Sequence, residues 1–250
     1  MRHRIQLPMN EHRSLSQSEA FFYVTHDDGN KEKISFHDYE RIYKSPGLYE
    51  QIFYDRLRCK SPTVVTDLLY KAHLSSDQNF SELRVLDLGA GNGLMGQALK
   101  KYGVSRIVGV DIEQMAKEAV DRDRPGIYDD YYIEDFTKLN KEKINEFKDW
   151  SFDCLTTVAA LGFGDIPIKA FQQAVNLISE NGWIAFNIKE TFLHPSDQSG
   201  FSKYVRALIL SENWEIHNIE RYKHRVSMEG VPLFYFAIIA RKRCHLPDVD

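Results

Sequence analysis

The chain has 250 residues, 43% hydrophobic and 27% charged, so it is long enough to bury a core and too apolar to be disordered. Its net charge of -4 lacks the positive excess that is typical of proteins that bind nucleic acid. The three cysteines, Cys59, Cys154 and Cys244, lie far apart, which argues against a disulfide framework and against a metal site.

No segment has the pattern of a membrane or secretion signal. The first 20 residues are polar and lack a continuous apolar stretch. The longest apolar run, Val231–Ala240, has about half of the roughly 20 residues that span a bilayer. We therefore expect a cytoplasmic protein that has no membrane partner.

The N-terminal part divides into an arm and an extension. Residues 1–20 show no apolar period, so we expect a flexible arm. In residues 21–80, two apolar segments flank Asp28-Gly29-Asn30, which predicts a small hairpin. Helical spacing follows, and Ser61-Pro62 is a typical helix start. The extension is therefore predicted to be mainly helical.

From Leu83 onward, short apolar strands alternate with amphipathic helices, which predicts a doubly wound α/β sheet covered on both faces. Strands are predicted at 84–89, 106–111, 131–135, 151–159 and 182–188, with helices near 93–102, 113–121, 137–147, 167–179 and 201–211. Residues 214–225 and 231–242 form two further strands whose link is too short for a crossover helix. They must pair as an antiparallel hairpin, which completes a domain over residues 81–245.

A glycine-rich turn follows the first of these strands. The segment from Asp87 to Gly93, DLGAGNG, allows the backbone to turn sharply and to approach a ligand closely. Two cofactors compete for it. Gly91–Gly96 matches the dinucleotide pattern G-x-G-x-x-G, and Asp111 follows Gly91 at the expected distance. However, the carboxylate of Asp87 would lie poorly beside a diphosphate, whereas it suits a cofactor that carries an ammonium and a sulfonium.

The pattern D-x-G-x-G-x-G resembles motif I of the class I S-adenosylmethionine-dependent methyltransferases. The resemblance extends over about residues 83–243, including the terminal hairpin. It implies a seven-stranded, mostly parallel sheet of order 3-2-1-4-5-7-6, with strand 7 antiparallel and S-adenosylmethionine as cofactor. In this family the acid that ends strand 2 holds the ribose, and the acid that ends strand 3 contacts the adenine. Asp111 and Asp135 occupy these positions, with Glu134 as the rival of Asp135.

The resemblance assigns cofactor contacts to the glycine turn and to the ends of strands 2, 3 and 4. These residues are Asp87, Gly89, Ala90, Gly91, Gly93, Leu94, Asp111, Ile112, Asp135, Phe136, Thr157 and Val158.

The acceptor side is less defined. The extension resembles the lid of small-molecule methyltransferases, and Tyr43, Tyr49 and Tyr54 are its candidate lining residues, facing Leu161 and Asp165. His194 follows strand 5 and is the candidate general base, because histidine is the residue type most often used for that role near neutral pH. His224 and Glu190 are weaker candidates.

The sequence thus predicts a metal-independent methyltransferase acting on a small molecule, with no nucleic-acid partner, as a monomer or homodimer. The methylated atom, oxygen, nitrogen or carbon, stays open. The alternatives are an NAD(P)-dependent oxidoreductase and a non-catalytic binding protein that keeps the fold.

Overall fold

The computed structural model describes residues 2–8, 19–162 and 164–247. A small antiparallel sheet opens the chain, with strands β1 Arg4–Gln6, β2 Phe21–Thr25 and β3 Lys31–Ser35 in that order. The hairpin of β2 and β3 is the one predicted from sequence. A flexible arm was expected for residues 1–20, but part of it is ordered. β1 pairs with β2, and the His3 amide donates to Gln51 Oε1 at 2.8 Å. Residues 9–18 of that arm lie outside the described residues.

The rest of the extension is helical. It contains α1 Tyr39–Lys44, α2 Leu48–Glu50, a π-helical segment Gln51–Arg56, α3 Ser61–His73 and a 3₁₀ turn Phe80–Glu82. Asp38 caps α1, since its carboxylate accepts the Arg41 amide. The extension has its own core around Phe22, Ile42 and Ile52, whereas α3 packs with the main sheet.

The main sheet has seven strands: β4 Arg84–Leu88, β5 Arg106–Asp111, β6 Asp130–Ile133, β7 Cys154–Thr157, β8 Trp183–Lys189, β9 Trp214–Val226 and β10 Pro232–Lys242. Their order is β6-β5-β4-β7-β8-β10-β9. β10 is antiparallel to both neighbours, and the other adjacent pairs are parallel. This confirms the predicted order 3-2-1-4-5-7-6 with strand 7 antiparallel.

Six helices follow the strands of the sheet: α4 Leu94–Lys101, α5 Gln114–Asp123, α6 Lys141–Asp149, α7 Ile168–Leu177, α8 Glu190–Leu193 and α9 Gly200–Ile209. Side chains alternate between the two faces of a strand, so each strand contributes residues to two hydrophobic cores, one on each face of the sheet. Val85 packs with α3, α4 and α5, and Leu86 packs with α6, α7 and α9. Among the described helices, none has the length and apolarity needed to span a bilayer.

Candidate active site

The glycine turn lies between β4 and α4, at the carboxyl edge of the sheet. Gly89, Gly91 and Gly93 all have positive φ angles, of 71°, 53° and 88°. A Cβ on Gly89 would lie 2.9 Å from the Ala160 Cβ, and a Cβ on Gly91 would lie 2.6 Å from the Tyr43 hydroxyl. Both backbone shape and lack of space therefore require glycine at these two positions.

Asp111 ends β5 and holds this turn. One of its carboxylate oxygens accepts the Gly91 amide at 2.8 Å, and the other accepts the Glu113 amide at 3.0 Å. Burial raises the pKa of Asp111, while the amide contacts oppose that rise. Each carboxylate oxygen keeps a further lone pair that can accept a hydroxyl from a ligand.

A main cavity of about 260 Å³ opens above the turn. It brings together most of the residues predicted to hold the cofactor: Gly89, Ala90, Gly91, Leu94, Asp111, Ile112, Asp135, Phe136 and Val158. The predicted lid and acceptor residues Tyr43, Tyr49, Tyr54 and Asp165 also line it. The positions assigned from sequence therefore converge on one cavity.

The residues after β6 line one end of this cavity. Asp135 accepts both the Thr137 amide and hydroxyl, and these contacts lower its pKa to about 2, so it is ionised at neutral pH. Phe136 is buried beside it. Glu134, the rival candidate, also lines the cavity, with its carboxylate 3.3 Å from the Lys143 amine.

Four tyrosines of the extension form the opposite wall. Tyr39 and Tyr43 stack with ring centroids 5.9 Å apart, and Tyr49 contacts Tyr43 and Tyr54 with centroid distances of 5.2 and 6.3 Å. Tyr39 was not predicted, although it lies one helical turn before Tyr43. We call residues 39–54 the tyrosine lid.

An ion pair fastens the tyrosine lid to the glycine turn. Glu50 Oε1 accepts from Arg124 at 2.7 Å and from the Asn92 amide group at 2.8 Å. Arg124 also donates to the Asn92 carbonyl at 3.0 Å. Because Asn92 belongs to the glycine turn, the lid and the turn form one hydrogen-bonded unit.

The close fit of Gly91 against Tyr43 gives a testable prediction. Gly91→Ala should lower the free energy of unfolding by about 1 to 3 kcal/mol more than Gly126→Ala. Gly126 is the matched control, since its φ is 72° but no atom lies within 4 Å of an added Cβ. Adding Tyr43→Phe should recover most of the difference, because the nearest remaining atom is the ring Cζ at 3.5 Å. Urea unfolding measures this, and a double variant no more stable than Gly91→Ala would contradict the fit.

The structure corrects the role predicted for Asp87. Its side chain is 1% exposed and lies beneath the turn, and the main cavity is lined by its neighbours instead. Tyr128 and Thr156 donate their hydroxyls to its two oxygens, both at 2.7 Å. Burial raises the pKa of Asp87 to about 7. Asp87 therefore supports the turn from inside the core and does not present a carboxylate to the cofactor.

The raised pKa of Asp87 predicts a pH-dependent stability. Between about pH 4 and about pH 7, the folded chain keeps a proton on Asp87 that the unfolded chain, with an ordinary pKa of 3.8, has released. The stabilisation is therefore full below about pH 4 and is lost as pH rises to about 7, with a slope of up to about 1.4 kcal/mol per pH unit. Asp87→Asn should lack this slope. Urea unfolding of both proteins from pH 4 to pH 8 measures it, and parallel curves would refute the assignment.

Two other cofactor candidates also lie outside the main cavity. Gly93 immediately precedes α4, and a Cβ there would lie 3.2 Å from Ile127. Gly93 therefore contributes to the turn on a side that does not line the cavity. Thr157 is fully buried at the end of β7. Its neighbours Val158 and Ala159 reach the cavity instead, because the chain turns there.

His194 is not brought to the cavity. It ends α8, where its Nδ1 contacts the Ser196 hydroxyl at 2.6 Å and its carbonyl accepts from Arg206 at 3.0 Å. Arg206 of α9 holds the segment after α8 through the carbonyls of His194 and Asp197, and His194 lines neither this cavity nor the smaller one beside it. Glu190 pairs with Arg221 at 2.7 Å on the outer hairpin. The prediction of His194 as general base is therefore wrong in position.

A side cavity of about 50 Å³ adjoins the main cavity and shares five lining residues with it: His37, Tyr39, Tyr49, Ala159 and Asp165. The predicted acceptor residue Leu161 lines this side cavity, as do His224 and Arg225 at the end of β9. His37 Nδ1 lies 3.3 Å from Asp165 Oδ1 at the boundary of the two cavities. Sequence analysis identified neither His37 nor Arg225, since no local pattern marks them.

A buried network shapes the loop between the cavities. Ala159 has a positive φ of 60°, and its amide donates to Asn187 Oδ1 at 2.6 Å. The Asn187 amide group donates to Ser61 at 3.0 Å and to Tyr222 at 2.7 Å. Ser61 also contacts His224 Nδ1 at 2.5 Å. Burial and the neighbouring Arg225 lower the pKa of His224 to about 3, so His224 is neutral and a weak base.

Residues 86–186 match the family model described as a methyltransferase domain. These residues form a methyltransferase domain, and the strand order of the sheet around them is that of class I. Its antiparallel strand β10 and the match separate it from the dinucleotide-dependent oxidoreductases that Gly91–Gly96 left open. No curated protein sequence matches the chain.

Solved structures share the fold of this methyltransferase domain. A SAM-dependent methyltransferase from Anabaena variabilis is 14% identical, with 84% of this chain and 96% of that chain covered and a TM-score of 0.53. Magnesium protoporphyrin IX methyltransferase from Synechocystis, with bound SAM, is 13% identical over 72% and 79%, with a TM-score of 0.50. The [4+2]-cyclase SpnF is 15% identical over 72% and 80%, with a TM-score of 0.50.

S-adenosylmethionine is the cofactor of this family, and the main cavity fits it. The glycine turn leaves room for a ligand against the backbone, Asp111 offers acceptors for hydroxyls, and Asp135 and Phe136 offer an anion and a ring for the adenine. Within the described part of the chain, no group of three or more His, Cys, Asp or Glu side chains is arranged to hold a metal ion.

Proposed function

We propose that this chain transfers the methyl group of S-adenosylmethionine to a small molecule bound beneath the tyrosine lid. The observation that carries the proposal is the side cavity, which adjoins the main cavity through Tyr39 and Tyr49 and lies among buried side chains. An enclosed aromatic cavity suits a small acceptor and excludes water from the reaction. The net charge of -4 adds no support for a nucleic-acid acceptor.

The bound cofactor supplies an electrophilic methyl group, and the chain's residues position the acceptor and accept its proton. Positioning alone can contribute about 7 to 11 kcal/mol to such a displacement. We assign proton removal to His37, because it lines both cavities and contacts Asp165 at 3.3 Å. In this arrangement Nδ1–H donates to Asp165, and Nε2 is the ring nitrogen that would take the proton of a hydroxyl or an ammonium of the acceptor.

The first test is of cofactor choice. Calorimetry should show that S-adenosylhomocysteine binds the purified chain and that NADH does not. Binding of NADH alone would support the oxidoreductase, and binding of neither would support a non-catalytic protein that keeps the fold.

The second test is of the acceptor class. The release of S-adenosylhomocysteine from S-adenosylmethionine is followed with pools of phenols, amines and carboxylic acids of fewer than about 20 heavy atoms, and with total RNA. We expect turnover with a small-molecule pool. Turnover with RNA alone would contradict the proposal. The most active compound becomes the acceptor for later experiments.

A further inference from the structure

Arg225 is a buried cation on the wall of the side cavity. It is 6% exposed and lies near the end of β9, where its guanidinium donates to the Val226 carbonyl at 3.0 Å. The guanidinium carbon lies 5.8 Å from the centre of the Phe36 ring. Arginine carries five N–H donors and remains charged, so one carbonyl leaves most of its bonding capacity open.

The side chains that act most strongly on the Arg225 charge do not carry the full negative charge of an acid. Among the described residues, no ion pair joins Arg225 to a carboxylate. The groups that act on its charge most strongly are the side chains of Tyr235, Cys59, Tyr39 and Tyr49. Burial raises the pKa of Cys59, Tyr39 and Tyr49, so these three are neutral at pH 7.

Two further groups define the field in the side cavity. Asp165 lines the same wall, but its 3.3 Å contact is with His37. Lys189 lies at the end of β8, and burial, followed by the charge of Arg225, lowers the pKa of Lys189. A buried charge without a partner of opposite charge is unfavourable, and a ligand anion at this point would offset that penalty.

We propose that Arg225 binds a carboxylate of the methyl acceptor, so that the substrate is a small carboxylic acid. This inference rests on the proposed function. The planar guanidinium matches a carboxylate in two parallel hydrogen bonds, and a cavity of about 50 Å³ suits a group of that size. The acid group then lies at the Arg225 end of the side cavity. The atom that receives the methyl group faces His37 and the main cavity.

The test compares acids with their neutral amides. Benzoate, phenylacetate and 4-hydroxybenzoate, each with its primary amide, are titrated by ligand-observed NMR into the chain saturated with S-adenosylhomocysteine. Phenyl phosphate is included as a larger anion. For the wild-type chain we expect at least one acid to have a dissociation constant at least tenfold below that of its amide and below that of phenyl phosphate.

Three variants locate this preference. Arg225→Gln should reduce the acid-to-amide ratio to below twofold, and Arg225→Lys should retain part of it. Arg221→Gln is the matched control, since Arg221 lies on the same strand but pairs with Glu190 at the surface, and it should keep the wild-type ratio. Calorimetry with S-adenosylhomocysteine should give the same affinity, within twofold, for all four proteins.

The outcomes separate the two levels of the proposal. Failure of the wild-type chain to bind S-adenosylhomocysteine is a failure of the proposed function. If the cofactor product binds but no acid is preferred over its amide, or phenyl phosphate binds more tightly, the carboxylate inference is wrong. If Arg225→Gln weakens S-adenosylhomocysteine itself, Arg225 serves the cofactor and the inference is also overturned.

Discussion

Replacement of His37 by glutamine is expected to lower kcat for methyl transfer by about 100- to 10,000-fold, the contribution that is typical of a positioned general base. His37 lines both cavities and contacts Asp165, and glutamine keeps its size and polarity but cannot accept the proton. The acceptor is the compound identified by turnover.

The matched control for His37 is a second histidine–acid pair in the extension. His26 Nε2 lies 2.9 Å from Glu32 on the β2–β3 hairpin and lines neither cavity, so His26→Gln should retain wild-type kcat. Asp165→Asn should reproduce part of the loss, because the amide orients the ring less firmly. A His37→Gln variant with wild-type kcat would remove His37 from the mechanism.

Replacement of Asp111 by alanine is expected to weaken S-adenosylhomocysteine binding by about 10- to 150-fold. Hydrogen bonds to a charged group contribute about 1.5 to 3 kcal/mol, and Asp111 both faces the main cavity and holds the Gly91 amide. Asp111→Asn keeps an acceptor for that amide but loses the charge, so its affinity should fall between those of wild type and alanine. Calorimetry at constant salt measures all three.

Asp121→Ala is the control for Asp111. Asp121 lies on α5, is 62% exposed and pairs with Lys117 at 2.7 Å, so its loss should leave the affinity unchanged. If Asp111→Ala binds S-adenosylhomocysteine as tightly as the wild-type chain, the ribose contact implied by the family resemblance does not exist here.

The sheet and the glycine turn could be predicted because their signals are local. Each strand carries its own apolar run, and a five-residue link forces β9 and β10 to pair. The position of Asp87 was also readable. Side chains alternate along β4, so Asp87 points to the same face of the strand as Val85. On that face the Tyr128 hydroxyl donates to the Asp87 carboxylate. Asp87 was predicted to contact the cofactor because it is close to the glycines in sequence. The alternation of side chains along the strand instead predicts that it is buried.

The acceptor side could not be predicted in the same way. His37 and Asp165 lie 128 residues apart in sequence. Arg225 reaches the side cavity from β9, the strand at the edge of the sheet. Such contacts depend on where whole elements pack, and no local period encodes them. The prediction for His194 was wrong for the same reason, because a contact with Arg206 of α9 fixes the position of the segment that carries His194.

The conformation of the loop after β7 is fixed by the Asn187 network, whose side chains lie outside the loop. Ala159 keeps its backbone conformation because an amide on β8 holds it, and that amide is in turn held from α3 and β9. Among descendants of a common ancestor, Asn187, Ser61 and Tyr222 should therefore change together. The loop positions between Ala160 and Asp165, which that network does not hold, should vary more from one lineage to the next.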